Sequence, residues 1–216
     1  MLIVPYEVDV PMTRWPYSNF AIIGITLLAF AYMFGGAMTA EEFESLALMK
    51  GNPAGLFGHM LLHGGLMHLI GNMVFLWCFG NAVCAKIGNI PYPILYLLLG
   101  AFAGYVHMVV DGRPVIGASG AIYGIIGMYL VFYPQNDVSC LWWFFRFGTF
   151  SISSIWMILL WVAFDIWGAW NGTGRVAYGA HFSGFIAGFL LASLLLYSEW
   201  VEMRETETSL FDWFRR

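Results

Sequence analysis

One serine stands among glycines in the apolar stretch VIGASGAIYGIIG, residues 115–127. Ser119 follows closely behind Pro114 and has neither an obvious helix-capping role nor ready access to water. On a helix, Ser119 and Tyr123 project side by side, four residues apart. The glycines, at spacings of three and four, form one stripe: Gly117, Gly120, Gly124 and Gly127. Such a stripe alone is typical of helix packing, so a nucleophilic role for Ser119 needs support from elsewhere.

Histidines and an asparagine begin two other apolar stretches. HGGLMHLIGN contains His68 and Asn72, four residues apart, and AHFSGFIAG places His181 at the head of a second glycine stripe. If the two stripes pack together, the imidazole of His181 comes within hydrogen-bond reach of Ser119, which a serine requires for activation as a nucleophile. His68, Asn72 and the backbone N–H of Ser119 are then candidate donors to an oxyanion. The alternative is that these polar groups only hold helices together.

The composition places the chain in a lipid bilayer. It has 216 residues, of which 60% are hydrophobic and only 10% are charged, whereas soluble domains carry about 25% charged residues. A net charge of -4 without a basic patch argues against nucleic-acid binding.

The three cysteines lack metal-ligand spacing and are interpreted as reduced packing residues. They are Cys78, Cys84 and Cys140. For the chain as a whole we expect no metal and no cofactor.

Six apolar stretches are candidates for membrane spans. They cover about 19–38, 61–83, 92–110, 116–133, 152–170 and 177–197. The predicted organisation is a leader at 1–17, a six-helix domain at 18–198 and a polar tail at 199–216 that lies in water. The longest polar loop is 39–58, and the aromatic segment 135–151 is expected to lie in the membrane interface or as a buried loop.

Six spans put both termini on one side of the membrane. With the termini in the cytoplasm, six basic residues lie inside and three outside, which favours this orientation. The inside residues are Arg14, Lys86, Arg146, Arg204, Arg215 and Arg216, and the outside ones are Lys50, Arg113 and Arg175. Spans two, four and six then all begin at the outer face, which brings the histidines, the asparagine and Ser119 to similar depth. A signal peptide after Arg14 is the alternative for the first stretch.

Three motifs together resemble those of rhomboid intramembrane serine proteases. They are H-x4-H-x3-N at 63–72, G-x-S-G at 117–120 and A-H-x2-G-x3-G at 180–188, in family order in spans two, four and six. The resemblance implies an all-α membrane protein, a six-transmembrane-helix rhomboid bundle with a short, central fourth helix and a water-filled cavity opening to the outer face. It also implies a multi-pass protein of the plasma or inner membrane that acts on transmembrane protein substrates.

The resemblance also assigns roles to individual residues. It implies that Ser119 is the nucleophile and His181 the general base, without an acidic third member. His68, Asn72 and the Ser119 amide would form the oxyanion hole. The supporting residues are Gly117 of the serine motif, Tyr123 against the ring of His181, and His63 as a structural histidine. Substrate would enter between spans two and five, and the aromatic residues of span five would act as a gate. The alternative is that these aromatic residues simply face lipid. They are Trp156, Trp161, Phe164, Trp167 and Trp170.

Several features leave alternatives open. Asp165 lies about a turn and a half from the outer end of span five, near the expected depth of His181, and is an alternative orienting carboxylate.

Many family members carry a Trp-Arg pair before span two, where this chain reads NPAGLFGH, so the anchoring of that loop differs. The alternative functions are a non-proteolytic rhomboid-like protein that binds membrane clients and a small transporter or channel. Binding alone requires neither Ser119 nor His181.

Overall fold

The computed structural model describes residues 2–143, 146–172 and 176–215. Its elements are β1 (Leu2–Val8), α1 (Tyr17–Phe34), α2 (Ala40–Leu46), α3 (Gly55–Gly58), α4 (Leu66–Phe75), α5 (Asn81–Ile87), α6 (Pro91–Val110), α7 (Ser119–Phe132), β2 (Asp137–Trp143), β3 (Phe147–Ser153), α8 (Ser154–Trp170), α9 (Tyr178–Tyr197) and α10 (Leu210–Phe214). A 3₁₀ turn, His59–Leu61, precedes α4, and a π-helical segment, Leu76–Gly80, joins α4 and α5 into one helix. Arg175 and Arg216, which entered the charge comparison, lie outside the described residues.

Four helices of the described chain are long and apolar enough to cross a membrane: α1, the continuous α4–α5, α6 and α9. Two further apolar helices, α7 and α8, have 14 and 17 residues. At a rise of 1.5 Å per residue, α7 is about 21 Å long, against about 30 Å for the hydrocarbon core of a bilayer. The six apolar stretches predicted from the sequence thus coincide with helices, of which four have full spanning length.

Helix α7 lies in the interior of the bundle. Within α7, every residue is buried except Ser119 and Tyr123. A helix that is buried on all sides needs no polar face. This explains why the sequence of α7 is apolar around its whole circumference. The two incompletely buried residues lie at its N-terminal end, so α7 presents only its first turns to a cavity.

The glycines of α7 and α9 allow the two backbones to meet. A Cβ atom at Gly184 would overlap the carbonyl oxygen of Gly120, and one at Gly188 would overlap that of Gly124. Small residues permit such close approach of membrane helices, where van der Waals packing replaces the hydrophobic effect as the main attraction. The predicted stripe-to-stripe packing therefore sets the distance between the N-terminal ends of α7 and α9.

The loop before α4 is tied to the segment before α7 by backbone hydrogen bonds. The Leu48 N–H donates to the Val115 carbonyl at 3.2 Å, and the Val115 N–H donates back to Leu48 at 3.0 Å. The Gly117 N–H donates to the carbonyl of His59 at 2.8 Å. Leu48 itself is buried. Backbone pairing thus anchors this loop although the chain lacks the family's Trp-Arg pair.

The expectation of an all-α fold is wrong at three segments. Strands β1, β2 and β3 form an antiparallel sheet in that order, with Val8 opposite Val138 and Cys140 opposite Phe150. Segment 135–151, expected as an interfacial or buried loop, instead supplies β2 and most of β3. Val138 and Cys140 are buried and alternate with exposed or half-buried residues, which is the period-two pattern of a half-buried strand.

The tail does not lie wholly in water as the sequence predicted. Val201, Ser209 and Leu210 are buried. Glu207 forms an ion pair with Lys86 at the end of α5, and both side chains are less than a tenth exposed. The tail therefore packs against the end of the bundle that lies opposite the N-terminal ends of α4, α7 and α9.

Candidate active site

Ser119 occupies the first turn of α7, after a backbone that only glycine readily adopts. Gly117 has a φ of +121°, and a Cβ atom there would lie 2.7 Å from the Cε1 atom of His68. A side chain at this position would be strained and would also displace the histidine. The backbone conformation and the nearby His68 ring therefore both require the glycine of G-x-S. This glycine turns the chain into α7 and lets the His68 ring lie next to the serine.

His181 lies in the first turn of α9, within hydrogen-bond distance of the serine. Its Nε2 atom is 3.0 Å from the Oγ of Ser119. The ring of Tyr123 is stacked on the imidazole, with centroids 4.2 Å apart and an interplanar angle of 11°. The ring of Tyr178 stands edge-on to it at 6.3 Å. Two tyrosine rings therefore restrict the rotation of the imidazole that faces the serine.

A carboxylate lies on the other side of the imidazole. The Nδ1 atom of His181 is 2.7 Å from Oδ2 of Asp165 on α8. The two side chains are 11% and 16% exposed, so this contact is largely shielded from water. An ionised carboxylate can only accept, so Nδ1 donates to Asp165 and Nε2 is left to accept from the Ser119 hydroxyl. The resemblance implied no acidic partner, whereas the structure brings one into contact.

His68 and Asn72 lie on one face of α4, beside the serine. The Gly64 N–H donates to Nδ1 of His68 at 3.3 Å, which leaves Nε2 of His68 as the ring N–H available to a ligand. Asn72 donates one side-chain N–H to the His68 carbonyl at 2.9 Å and retains a second. The two side chains thus keep two donors that can point at a group bound next to Ser119.

His63 is fully buried at the start of this region. Its ring centroid lies 5.0 Å from that of His68, at an interplanar angle of 62°. Within the described residues neither of its ring nitrogens has a hydrogen-bond partner. It touches the ring of His68 but does not line the cavity that contains Ser119. The geometry places His63 behind His68, as a packing neighbour.

A cavity of about 950 Å³ joins these side chains. It lies at the N-terminal ends of α4, α7 and α9, and its lining includes His68, Asn72, Ser119, Tyr123 and His181. No group of three or more histidine, cysteine, aspartate or glutamate side chains in the described residues is arranged to hold a metal ion. Among the groups that line the cavity are a hydroxyl, imidazoles and N–H donors.

The aromatics of α8 divide into two sets. Trp161 packs against Phe75 of α4, with ring centroids 4.4 Å apart. The other four are more than half exposed, as expected of residues that face lipid: Trp156, Phe164, Trp167 and Trp170. Since Phe75 also lines the cavity, the contact between Phe75 and Trp161 lies between the cavity and the outside of the bundle.

Tyr178 is a neighbour of His181 that sequence reasoning missed. It lies three residues before His181 on α9, so the helical spacing alone places both on one face. On α6, the Nε2 atom of His107 lies 3.0 Å from the carbonyl oxygen of Arg113. This contact holds the end of α6 to the segment that leads into α7.

Comparison with known proteins adds two findings. The family model for the rhomboid domain matches residues 50–198, which is more than half of the chain. RHOMBOID-like protein 5 of Arabidopsis thaliana is 31% identical over 141 residues, which cover 62% of this chain and 41% of the relative. The chain thus spans less than half the length of that curated relative. The matched region contains the serine, histidine and asparagine positions described above.

Proposed function

Because the chain belongs to the rhomboid family, we propose that it is an intramembrane serine protease that hydrolyses peptide bonds in or near the transmembrane segments of other proteins. The observation that carries the proposal is the 3.0 Å contact between Ser119 Oγ and His181 Nε2 at the wall of a large cavity. A hydroxyl is a weak nucleophile until a base accepts its proton. Binding of a membrane client would not require this pair.

The first step is acylation of the serine. Ser119 Oγ attacks the carbonyl carbon of the scissile bond while its proton passes to Nε2 of His181. When the tetrahedral intermediate collapses, the C–N bond breaks and the same proton is given to the leaving amine. A water molecule then repeats the sequence: His181 takes its proton, the acyl–enzyme bond breaks, and the proton returns to Ser119. The imidazole thus ends each turnover neutral.

The developing oxyanion requires donors on the side of the serine away from His181. The free N–H groups of His68 and Asn72 and the backbone N–H of Ser119 are suited to this role, because all three belong to residues that line the cavity next to the serine hydroxyl. The backbone N–H at the first turn of α7 is one of the four that a helix leaves without an intrahelical partner. Each such donor contributes about 2.7–4 kcal/mol in enzymes that use an oxyanion hole.

The six apolar helices support the following arrangement in the bilayer. We place all six across the membrane, with α7 as the short central span, both termini in the cytoplasm and the cavity toward the outer face of the plasma or inner membrane. Hydrolysis consumes water, and a bilayer core supplies none. A cavity at the outer ends of α4, α7 and α9 provides that water without crossing the membrane. Substrate helices would pass between α4 and α8, where Phe75 meets Trp161.

The test is cleavage of single-span test proteins by the full chain reconstituted in liposomes. We expect fragments from the wild type and none from Ser119→Ala or His181→Ala. Ser183→Ala is the matched control, because the Ser183 hydroxyl donates within its own helix to the Gly179 carbonyl at 2.7 Å. Cleavage by Ser119→Ala at the wild-type rate would refute the assignment. Binding of the test proteins without cleavage would favour the client-binding function.

A further inference from the structure

We propose that Asp165 is a positioning residue for His181, so that this protein works with a Ser119–His181–Asp165 triad. The role rests on the proposed proteolytic function and adds a carboxylate to the two residues that the family resemblance implies. Asp165 contacts no substrate in this mechanism. It acts through the imidazole, 2.7 Å from Nδ1.

The first argument is the tautomer. A neutral imidazole carries its proton on one nitrogen, and the hydrogen bond made by that nitrogen decides which. Because the Asp165 carboxylate accepts from Nδ1–H, the lone pair of His181 is held on Nε2, where it faces the Ser119 hydroxyl at 3.0 Å. The opposite tautomer would point an N–H at the hydroxyl and could not accept its proton. Asp165 thus selects the reactive form of the base before substrate binds.

The second argument is charge. When the serine proton moves to Nε2, His181 becomes an imidazolium, and a carboxylate on Nδ1 stabilises it through a charge-assisted hydrogen bond. The proton on Nδ1 stays there, and Asp165 stays ionised throughout. With side chains 16% and 11% exposed, the pair is screened less by water than a surface pair would be.

The third argument is that the carboxylate has its own support. The Tyr123 hydroxyl interacts electrostatically with the Asp165 carboxylate, while the Tyr123 ring is stacked on His181. One tyrosine on α7 thus bridges the two members of the pair. The charged or titratable groups around His181 come from every helix packed against it: Asp165 on α8, Tyr123 on α7, Tyr178 on α9 and His68 on α4.

The test compares Asp165→Asn and Asp165→Glu with wild type in liposomes. An asparagine keeps the size and can still hydrogen-bond, but it brings no negative charge and can donate to Nδ1, which selects the wrong tautomer. In a soluble serine protease the corresponding change lowers kcat about 10⁴-fold. We expect Asp165→Asn to lower kcat at least about tenfold with KM within about threefold of wild type, and Asp165→Glu to restore part of the loss.

A second readout follows Ser119 alone. The rate at which a fluorophosphonate probe labels Ser119 should fall in Asp165→Asn in parallel with kcat, while the thermal unfolding midpoint in detergent stays close to that of wild type. Glu44→Gln, at an exposed position in the outer loop, is the control and should change neither rate. A structural role predicts instead a lower unfolding midpoint with an unchanged labelling rate for the folded fraction, and that result would overturn the proposal.

Two further outcomes separate this proposal from the proposed function. Wild-type kcat and labelling rate in Asp165→Asn, with both rates still lost in Ser119→Ala, would refute the triad and leave the protease intact. A wild type that neither cleaves nor reacts with the probe would refute the protease, and the triad with it.

Discussion

Gly188 of α9 lies so close to the Gly124 carbonyl oxygen of α7 that a Cβ atom on Gly188 would overlap it. One turn nearer the cavity, Gly184 stands in the same relation to Gly120. The backbone contact between these helices fixes the separation of their first turns, where Ser119 and His181 lie. Packing deep in the bundle and the 3.0 Å distance between Ser119 Oγ and His181 Nε2 are therefore parts of one arrangement.

Replacing Gly188 with alanine should destabilise the protein and impair catalysis together. The added methyl group meets backbone, which cannot rotate away, and overpacking of this kind costs about 1–3 kcal/mol. Thermal unfolding in detergent and cleavage rates measure the two effects. Gly24→Ala in α1 is the matched control, since nothing lies within 4 Å of a Cβ atom there. Equal unfolding midpoints for both variants would contradict the close contact.

The sequence predicted the candidate site better than the surroundings of the site. Motifs at fixed spacing predicted that Ser119, His181, His68 and Asn72 lie together. This prediction needs only the helical period and the alternating direction of successive spans, and both can be read from the sequence. Depth along α8 also placed Asp165 near His181 as an alternative. The sequence could not favour that alternative, since the rotation of α8 about its axis is set by packing and not by its own nearly uniform apolar sequence.

The sheet and the tail could not be predicted for a different reason. Strand β1 contains Pro5, which argues against a strand interior, yet β1 is the edge of its sheet, where proline is tolerated. Its partner β2 lies about 130 residues further along the chain. Likewise, the pairing of Lys86 with Glu207 joins distant segments. No local pattern records such pairings, so the sequence alone predicts a tail in water and an interfacial or buried loop at 135–151.

Truncation of His68 or Asn72 should lower the rate of the chemical step more than substrate binding. Each loses one donor to the oxyanion, which develops only in the transition state, so we expect His68→Ala and Asn72→Ala to lower kcat about 10²–10³-fold with little change in KM. Ile70→Ala is the control, because this residue lies on the same helix, α4, outside the lining of the cavity. A rise in KM at unchanged kcat would instead assign both residues to substrate binding.

Removal of the Trp161 ring should accelerate cleavage of transmembrane substrates. The ring closes the gap between α4 and α8 against Phe75 at 4.4 Å, and opening steps limit turnover in many enzymes. We expect Trp161→Ala to raise kcat/KM for a single-span protein but not for a short peptide that reaches the cavity through water. Trp156→Ala, on the lipid-exposed side of α8, should change neither. Equal effects on protein and peptide would exclude a lateral gate.

The stability contributed by Glu207 should disappear in acid. Burial raises the pKa of this carboxyl, but hydrogen bonds from Lys86 and the Arg204 backbone outweigh burial, so that the pKa lies below its usual 4.5. A group whose pKa is lower in the folded state stabilises the protein above the unfolded-state pKa and loses that contribution as the pH falls through the folded-state value. Wild type should therefore lose stability below about pH 4.5 through this residue.

Glu207→Gln isolates that contribution. Removing one member of a buried ion pair leaves the other charge unpaired, which costs about 3–5 kcal/mol, so the variant should unfold more easily than wild type at neutral pH. The difference between the two proteins, measured by denaturation in detergent, should shrink steadily as the pH falls below the unfolded-state pKa. Glu205→Gln, two residues away and exposed, should match wild type throughout. A difference that stays constant down to pH 3 would mean that Glu207 stabilises the tail by shape and not by charge.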